Sequence, residues 1–231
     1  LEGALLESRA GKTAVARKFF KYLISHMPWY GPIYYEAFRL EEKCEEFDRA
    51  LNIVERGLVD LPRYGPLWFG SLRLLERQDR NEEKSRWLVG HSPLLKRVRR
   101  EVATAIKLIS RELVWKIHFE VAQIEERACE IAATGRHVLR GTSLSAARHE
   151  LLEEARLSYT RSLLTCHNNL RWKIWLASAR MELNAGRLAV ARRILFRAFE
   201  EVPDKSRSYV YLEASRLEEF TGNLQGARRI L

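Results

Sequence analysis

Apolar side chains recur along this chain at three- and four-residue steps, in runs separated by glycine, proline or asparagine. The clearest case is NLRWKIWLASARMELNAGRLAVARRILFRAFEEVP, from Asn169 to Pro203. Trp172, Trp175, Leu176, Ala179 and Leu183 fall on one stripe, and Leu188, Ala191, Ile194, Leu195, Ala198 and Val202 on a second. That spacing predicts two amphipathic helices, each with one buried face. Ala185-Gly186 separates them, glycine being the residue that reaches positive φ at least cost, and Pro203 lies just beyond the second. The stretch predicts a helical hairpin.

The next segment copies it. In VYLEASRLEEFTGNLQGARRIL (210–231), Tyr211 matches Trp175, Arg216 matches Arg180, Glu218 matches Glu182, Gly222 matches Gly186 and Ala227 matches Ala191, each pair 36 residues apart. Two helices per unit at this period predict an α-solenoid, in which a hairpin buries its apolar face only against its neighbours. Further units follow the same slots. Ala16 to Pro28 and Ala50 to Pro62 each span twelve residues, as Ala191 to Pro203 does. Gly31-Pro32 and Gly65-Pro66 open two further first helices, with Tyr34 and Trp68 in the aromatic slot. In ELVWKIHFEVAQIEE, Trp115 and Ile117 match Trp172 and Ile174, His118 takes the slot of Trp175, and Ala155 serves as the second-helix alanine.

The expected fold is therefore all-α: a right-handed α-solenoid of about five and a half hairpins, forming one repeat array over residues 1–231. Two insertions are expected, near 78–93 and near 128–149, emerging as loops. The first carries Asp79, Arg80, Glu82, Glu83, Lys84 and Trp87. The second carries Arg136, His137, Arg140 and Arg148. The first hairpin reads as half missing, because an aromatic sixteen residues before Ala16 would precede the chain. A start at Leu1 and an end inside a helical pattern read as a segment of a longer array.

AGKTAVAR at 10–17 contains Gly-Lys-Thr, but a phosphate-binding loop needs a glycine where Leu6 stands and a preceding strand. It matches AGRLAVAR (185–192) at six of eight positions, which makes it another inter-helix turn.

Composition changes the picture in one respect. A net charge of +10 and a pI near 9.7 point to a polyanionic partner, nucleic acid before anionic lipid. Cys44, Cys129 and Cys166 are odd in number and form no C-x-x-C pair, which fits a reducing compartment. No apolar run approaches the length of a membrane-spanning helix.

The aromatic at Trp175 or Tyr211, the glutamate seven residues on at Glu182 or Glu218, the inter-helix glycine, Ala-Arg at 191–192 or 227–228 and the closing Pro203 together resemble the half-a-tetratricopeptide (HAT) repeat. The resemblance covers 10–77 and 113–231 well and 78–112 poorly. Departures are His118 in an aromatic slot, Glu45 where the glycine belongs and His167 in place of the closing proline. HAT arrays belong mostly to RNA-processing complexes, nuclear, nucleolar or organellar. The resemblance thus implies a non-catalytic RNA-associated scaffold with RNA and protein subunits as partners. The alternative it leaves open is a pure protein-interaction module holding an acidic or helical segment.

Tyr34, Trp68, His118, Trp175 and Tyr211, with Ala16, Ala50, Ala155, Ala191 and Ala227, are expected to pack between helices, while Trp29, Tyr30 and Trp87 fall outside the periodic slots. An arginine follows the aromatic slot by five residues at Arg39, Arg73, Arg180 and Arg216, forming a rank of guanidinium groups that either engages phosphates or pairs with Glu42, Glu76, Glu182 or Glu218. Second-helix cations occur as Arg17-Lys18, Arg99-Arg100, Arg192-Arg193 and Arg228-Arg229, the first of each pair expected to pack and the second to be free. Arg99, Arg100, Arg193, Arg229 and the trio Arg136, His137 and Arg140 complete the candidate RNA contacts. The six histidines show no metal-ligand spacing, Cys166-His167 project to different sides of a helix end, and no paired carboxylates form an acid–base dyad, so neither a cofactor nor a small-molecule substrate is implied.

Overall fold

A computed structural model of the chain describes residues 1–82, 93–134 and 143–231, with side chains over 1–77, 97–130 and 149–231. Among the described residues the fold is all-α, with no strand, and its helices are paired as the periodicity requires. The pairs are α1 (Glu2–Arg9) with α2 (Thr13–His26), α3 (Gly31–Lys43) with α4 (Phe47–Asp60), α5 (Gly65–Glu82) with α6 (Pro93–Leu108), α7 (Arg111–Thr134) with α8 (Ser143–Thr165), α9 (Asn168–Asn184) with α10 (Leu188–Glu201), and α11 (Arg207–Phe220) with α12 (Leu224–Ile230). Two compact units result: residues 1–113 with 127–150, and residues 114–126 with 151–231.

In the first unit each helix packs on the next from α1 to α6, and α3 also touches α5. Ala16, Ile33, Tyr34, Phe38, Ala50, Val54 and Leu67 are fully buried there, and Trp68 nearly so. Gly57 shows how closely the helices approach. A Cβ at that position of α4 would lie 2.7 Å from Leu67 and 2.9 Å from the Tyr34 ring. In the second unit, α10 packs on α9 and α11, α12 on α11, and α9 also touches α11. Trp172, Leu176, Ala191, Leu195, Ala198 and Val210 form one core cluster, and Ala122, Ala155, Tyr159, Ile174 and Met181 another.

The turns of four hairpins, α1/α2, α3/α4, α9/α10 and α11/α12, share one chemistry. Gly11, Gly186 and Gly222 lie at φ 76°, 77° and 79°. Beyond each, a backbone N–H reaches back five residues, from Lys12 to the carbonyl of Glu7, Arg187 to Glu182 and Asn223 to Glu218, at 2.9 Å. This is a Schellman closure. The chain keeps the closure even where glycine is missing: Glu45 takes φ 60°, and Glu46 N–H donates to the Glu41 carbonyl at 3.0 Å. A side chain held there is strained. His167 likewise adopts a proline-like backbone, φ −65° and ψ 144°, beside −63° and 146° at Pro203.

At the junctions α2/α3, α8/α9 and α10/α11 an ion pair runs from the second helix of one hairpin to the first helix of the next. Arg17 donates Nε–H and Nη2–H to the two carboxylate oxygens of Glu41 at 2.9 and 2.7 Å. Arg156 does the same to Glu182 at 2.6 and 2.7 Å, and Arg192 reaches Glu218 at 3.1 Å. Glu41 and Glu182 are buried, so each carboxylate requires this bidentate partner. The same glutamates supply the carbonyls of the Schellman closures, so one residue fixes both the turn and the stacking of the hairpin before it.

Two expectations need correcting. The first hairpin is not left with a single helix, because α1 is present and buries Ala4 beside α2. The insertions, as far as they are described, lengthen helices instead of looping out: α5 continues to Glu82, α7 to Thr134, and α8 begins at Ser143. Residues 71–82 and 112–133 hold neither glycine nor proline, so nothing ends those helices early. Glu83, Lys84 and Trp87, and Arg136, His137 and Arg140, lie outside the described residues.

Two stability predictions follow from the turns and the ion pairs. Glu45→Gly is expected to raise unfolding free energy by about 1 kcal/mol by relieving the left-handed strain, and Gly186→Ala to lower it by a similar amount, read as denaturation midpoints. Arg156→Leu, which strands Glu182, is expected to cost about 3 kcal/mol, with much of the loss recovered in the Arg156→Leu/Glu182→Leu double variant. Arg197→Ala, at an exposed pair with Glu200, should cost only about 0.3 kcal/mol.

Candidate functional site

The first helices of successive hairpins touch in both units, so residues five positions beyond the aromatic slot become neighbours. Arg39 on α3 and Arg73 on α5 line one open cavity of 490 Å³ in the first unit. Lys43 and Arg77, each four residues further along the same helix and hence on the same face, join them. One carboxylate stands among these four cations. Glu42 accepts from Arg73 Nη2 at 3.1 Å and Arg77 Nη1 at 3.1 Å. The Arg39 guanidinium lies 5.7 Å from the centre of the Tyr35 ring, and among the described residues no carboxylate pairs with it. Arg73 is also 6.0 Å from the Phe38 ring centre. The local balance is three positive charges in excess.

In the second unit Arg180 and Arg216 converge on one buried carboxylate. Both donate to Glu213, Arg216 Nη1 at 2.8 Å, while their own side chains stay more than half exposed. The hydrogen bond Arg180 donates to Glu213 raises the Arg180 pKa, against the lowering effect of burial.

On the second helices, Arg100, Arg193 and Arg229 are exposed and Arg99 is half-buried. Arg17 and Arg192 are the inter-hairpin partners of Glu41 and Glu218. Among the packing positions, Ala16, Ala50, Ala155 and Ala191 are fully buried and Ala227 nearly so. Tyr34, Trp68 and Trp175 use their polar ends as well as their rings. Tyr34 donates its hydroxyl to Asp60, Trp68 Nε1–H donates to the Pro62 carbonyl at 2.8 Å, and Trp175 Nε1–H donates to Glu201 at 3.1 Å. Tyr211 is 40% exposed and meets Phe199 edge-on at 5.5 Å. Trp29, at 70% exposed, and Tyr30 project from the turn between α2 and α3.

The arginine–carboxylate pairing differs from the sequence expectation. Arg73 does use Glu42, but Glu76, Glu182 and Glu218 are taken by Arg127, Arg156 and Arg192, and Arg180 and Arg216 use Glu213. Glu41, Glu182 and Glu218, seven residues after the aromatic slot, face the preceding hairpin, while Glu76, eight residues after Trp68, is held by Arg127 of α7. A usable signal existed in the interval of 24 to 26 residues that separates Arg17 from Glu41, Arg156 from Glu182 and Arg192 from Glu218.

Two aromatic-slot residues have perturbed acidities. Burial, with the hydrogen bond to Asp60, pushes Tyr34 up to about 12. Burial, with the Arg161 charge nearby, lowers the pKa of His118.

A family profile described as "PRP6, TPR-like domain" matches residues 1–231. The chain belongs to this family. A TPR-containing protein of Dictyostelium discoideum is 48% identical over 128 residues, 55% of this chain but 9% of that relative's length. Among solved structures, a thermophilic TPR protein of Thermus thermophilus is similar at 16% identity and a TM-score of 0.53, with 96% of each chain covered. These similarities bear out the HAT/TPR-like reading and the α-solenoid fold class. A TPR-like array of this kind is a protein-interaction scaffold.

His118 yields a pH prediction with a fixed sign. Because the folded chain disfavours the protonated ring, its contribution is present above the unfolded pKa near 6.5 and is lost as pH falls through the lower folded value. His118→Phe should flatten the acid limb of the stability curve below pH ~6.5, measured as Tm against pH.

Proposed function

We propose that this chain is a non-catalytic scaffold of an RNA-processing or ribonucleoprotein complex, and that it holds RNA by its phosphates along the first helices of the first unit. The observation that carries this reading is the set of four cations, Arg39, Lys43, Arg73 and Arg77, around the single carboxylate of Glu42. A guanidinium placed beside Tyr35 keeps its donor edge available while its stem is held. The overall charge of +10 adds a long-range attraction of the same sign. Such contacts follow the sugar–phosphate backbone and carry little base discrimination. Arg100, Arg193 and Arg229, being exposed second-helix cations, would extend the field, as would Arg136, His137 and Arg140.

Fluorescence anisotropy with single-stranded oligonucleotides of mixed sequence tests this. Affinity should fall as salt rises, and Arg39→Glu/Arg73→Glu should lower it by about ten-fold on every sequence alike, reducing the slope of log K against log salt by about 1.4, two phosphate contacts at roughly 0.7 each. Absence of binding at low salt would leave only the protein-interaction scaffold.

A further inference from the structure

The second helices carry a feature that the phosphate-binding reading does not use. Between α2 and α4, over the floor of α3, lies an open groove of 380 Å³. Phe20 and Ile24 of α2, Tyr34 of α3 and Ile53 of α4 give it an apolar lining. The Arg17–Glu41 pair walls it on one side. A groove of 260 Å³ recurs between α10 and α12 over α11, with Leu195, Phe199, Tyr211 and Ile230 at the corresponding positions and the Arg192–Glu218 pair as its wall. The recurrence has a simple origin. Each glutamate fixes a first helix against the preceding second helix, and the two second helices then part above it.

The two grooves differ at the rim. In the first unit Lys21, Arg49 and Arg56 are exposed around the opening. The acids within reach are engaged: Glu41 by Arg17, and Asp60 by the Tyr34 hydroxyl. Arg49 has only a 3.8 Å contact with exposed Glu46, and among the described residues no carboxylate pairs with Lys21 or Arg56. In the second unit Phe196 takes the place of Lys21, so that rim offers apolar surface instead.

We infer that the groove between α2 and α4 docks an acidic amphipathic helix of a protein partner, one large apolar side chain seated against half-buried Ile53 and its carboxylates facing Lys21, Arg49 and Arg56. The apolar floor gains from burying such a side chain, which a nucleic-acid backbone cannot offer. The rim selects against a basic or neutral helix, since burying its cations beside Lys21 and Arg56 is unfavourable. This face is separate from the Arg39–Arg73 cavity, so the two occupants would not compete for residues.

The test uses the 231-residue chain and a fluorescent helical peptide of about 16 residues with leucines at i, i+3, i+4 and i+7 and glutamates elsewhere. Two controls replace the glutamates by lysines or the leucines by serines, and a single-stranded RNA is titrated in parallel. The acidic amphipathic peptide is expected to bind, and both control peptides to bind at least about ten-fold more weakly. Lys21→Glu/Arg56→Glu, and the milder Lys21→Gln/Arg56→Gln should the first unfold, should weaken the peptide by about ten-fold while leaving RNA affinity within about two-fold. Arg39→Glu/Arg73→Glu should do the reverse, so failure of either reading is seen separately. Equal binding of the serine-substituted peptide, loss of RNA rather than peptide in the Lys21 and Arg56 variants, or no peptide binding would each overturn the inference.

Discussion

A carboxylate on a first helix, buried and gripped by a guanidinium from the helix before it, is the constraint on which the arrangement rests. Glu41 and Glu182 are almost wholly withdrawn from water. An ionised group in that position is tolerable only with near-ideal hydrogen bonding, which Arg17 and Arg156 supply through two parallel N–H donors. Apolar packing alone would permit neighbouring hairpins to slide by a turn at little cost, because alanine and leucine stripes are self-similar. A bidentate pair does not slide. The pairs therefore specify which turn of one helix faces which turn of the next, with the apolar cores supplying the bulk of the attraction.

The same glutamates lend their carbonyls to the closures at Glu46, Arg187 and Asn223. Turn, first helix and preceding hairpin are thereby tied at one residue, which explains why so short a set of slots recurs. It also explains how departures are absorbed. Glu45 accepts a left-handed backbone, and His167 adopts the dihedrals of Pro203, because the surrounding hydrogen bonds and packing fix the chain path before the side chain at that position has its say.

Much of this was legible in the chain itself. The three- and four-residue steps and the 36-residue period carry the helix pairs, since they follow directly from one buried stripe per helix. The alanine slots were equally plain, being places where only a small residue suits the close approach of two helices. The partners of the arginines were not, because pairing between hairpins depends on which side of a first helix points backwards, and periodicity alone does not give that phase. The lengthened α5, α7 and α8 were missed for a different reason. A break in the repeat spacing marks extra residues without saying whether they loop out, and 71–82 and 112–133 contain no glycine or proline to end a helix. The Arg216–Glu213 pair follows from i,i+3 spacing on one helix, but the arrival of Arg180 at the same carboxylate depends on how α9 meets α11, which periodicity does not give.

The junctions described for each unit all run between adjacent helices or adjacent hairpins, and this has a mechanical consequence. Within each unit a hairpin answers to those beside it. Loosening at one place is then felt next door and fades beyond it.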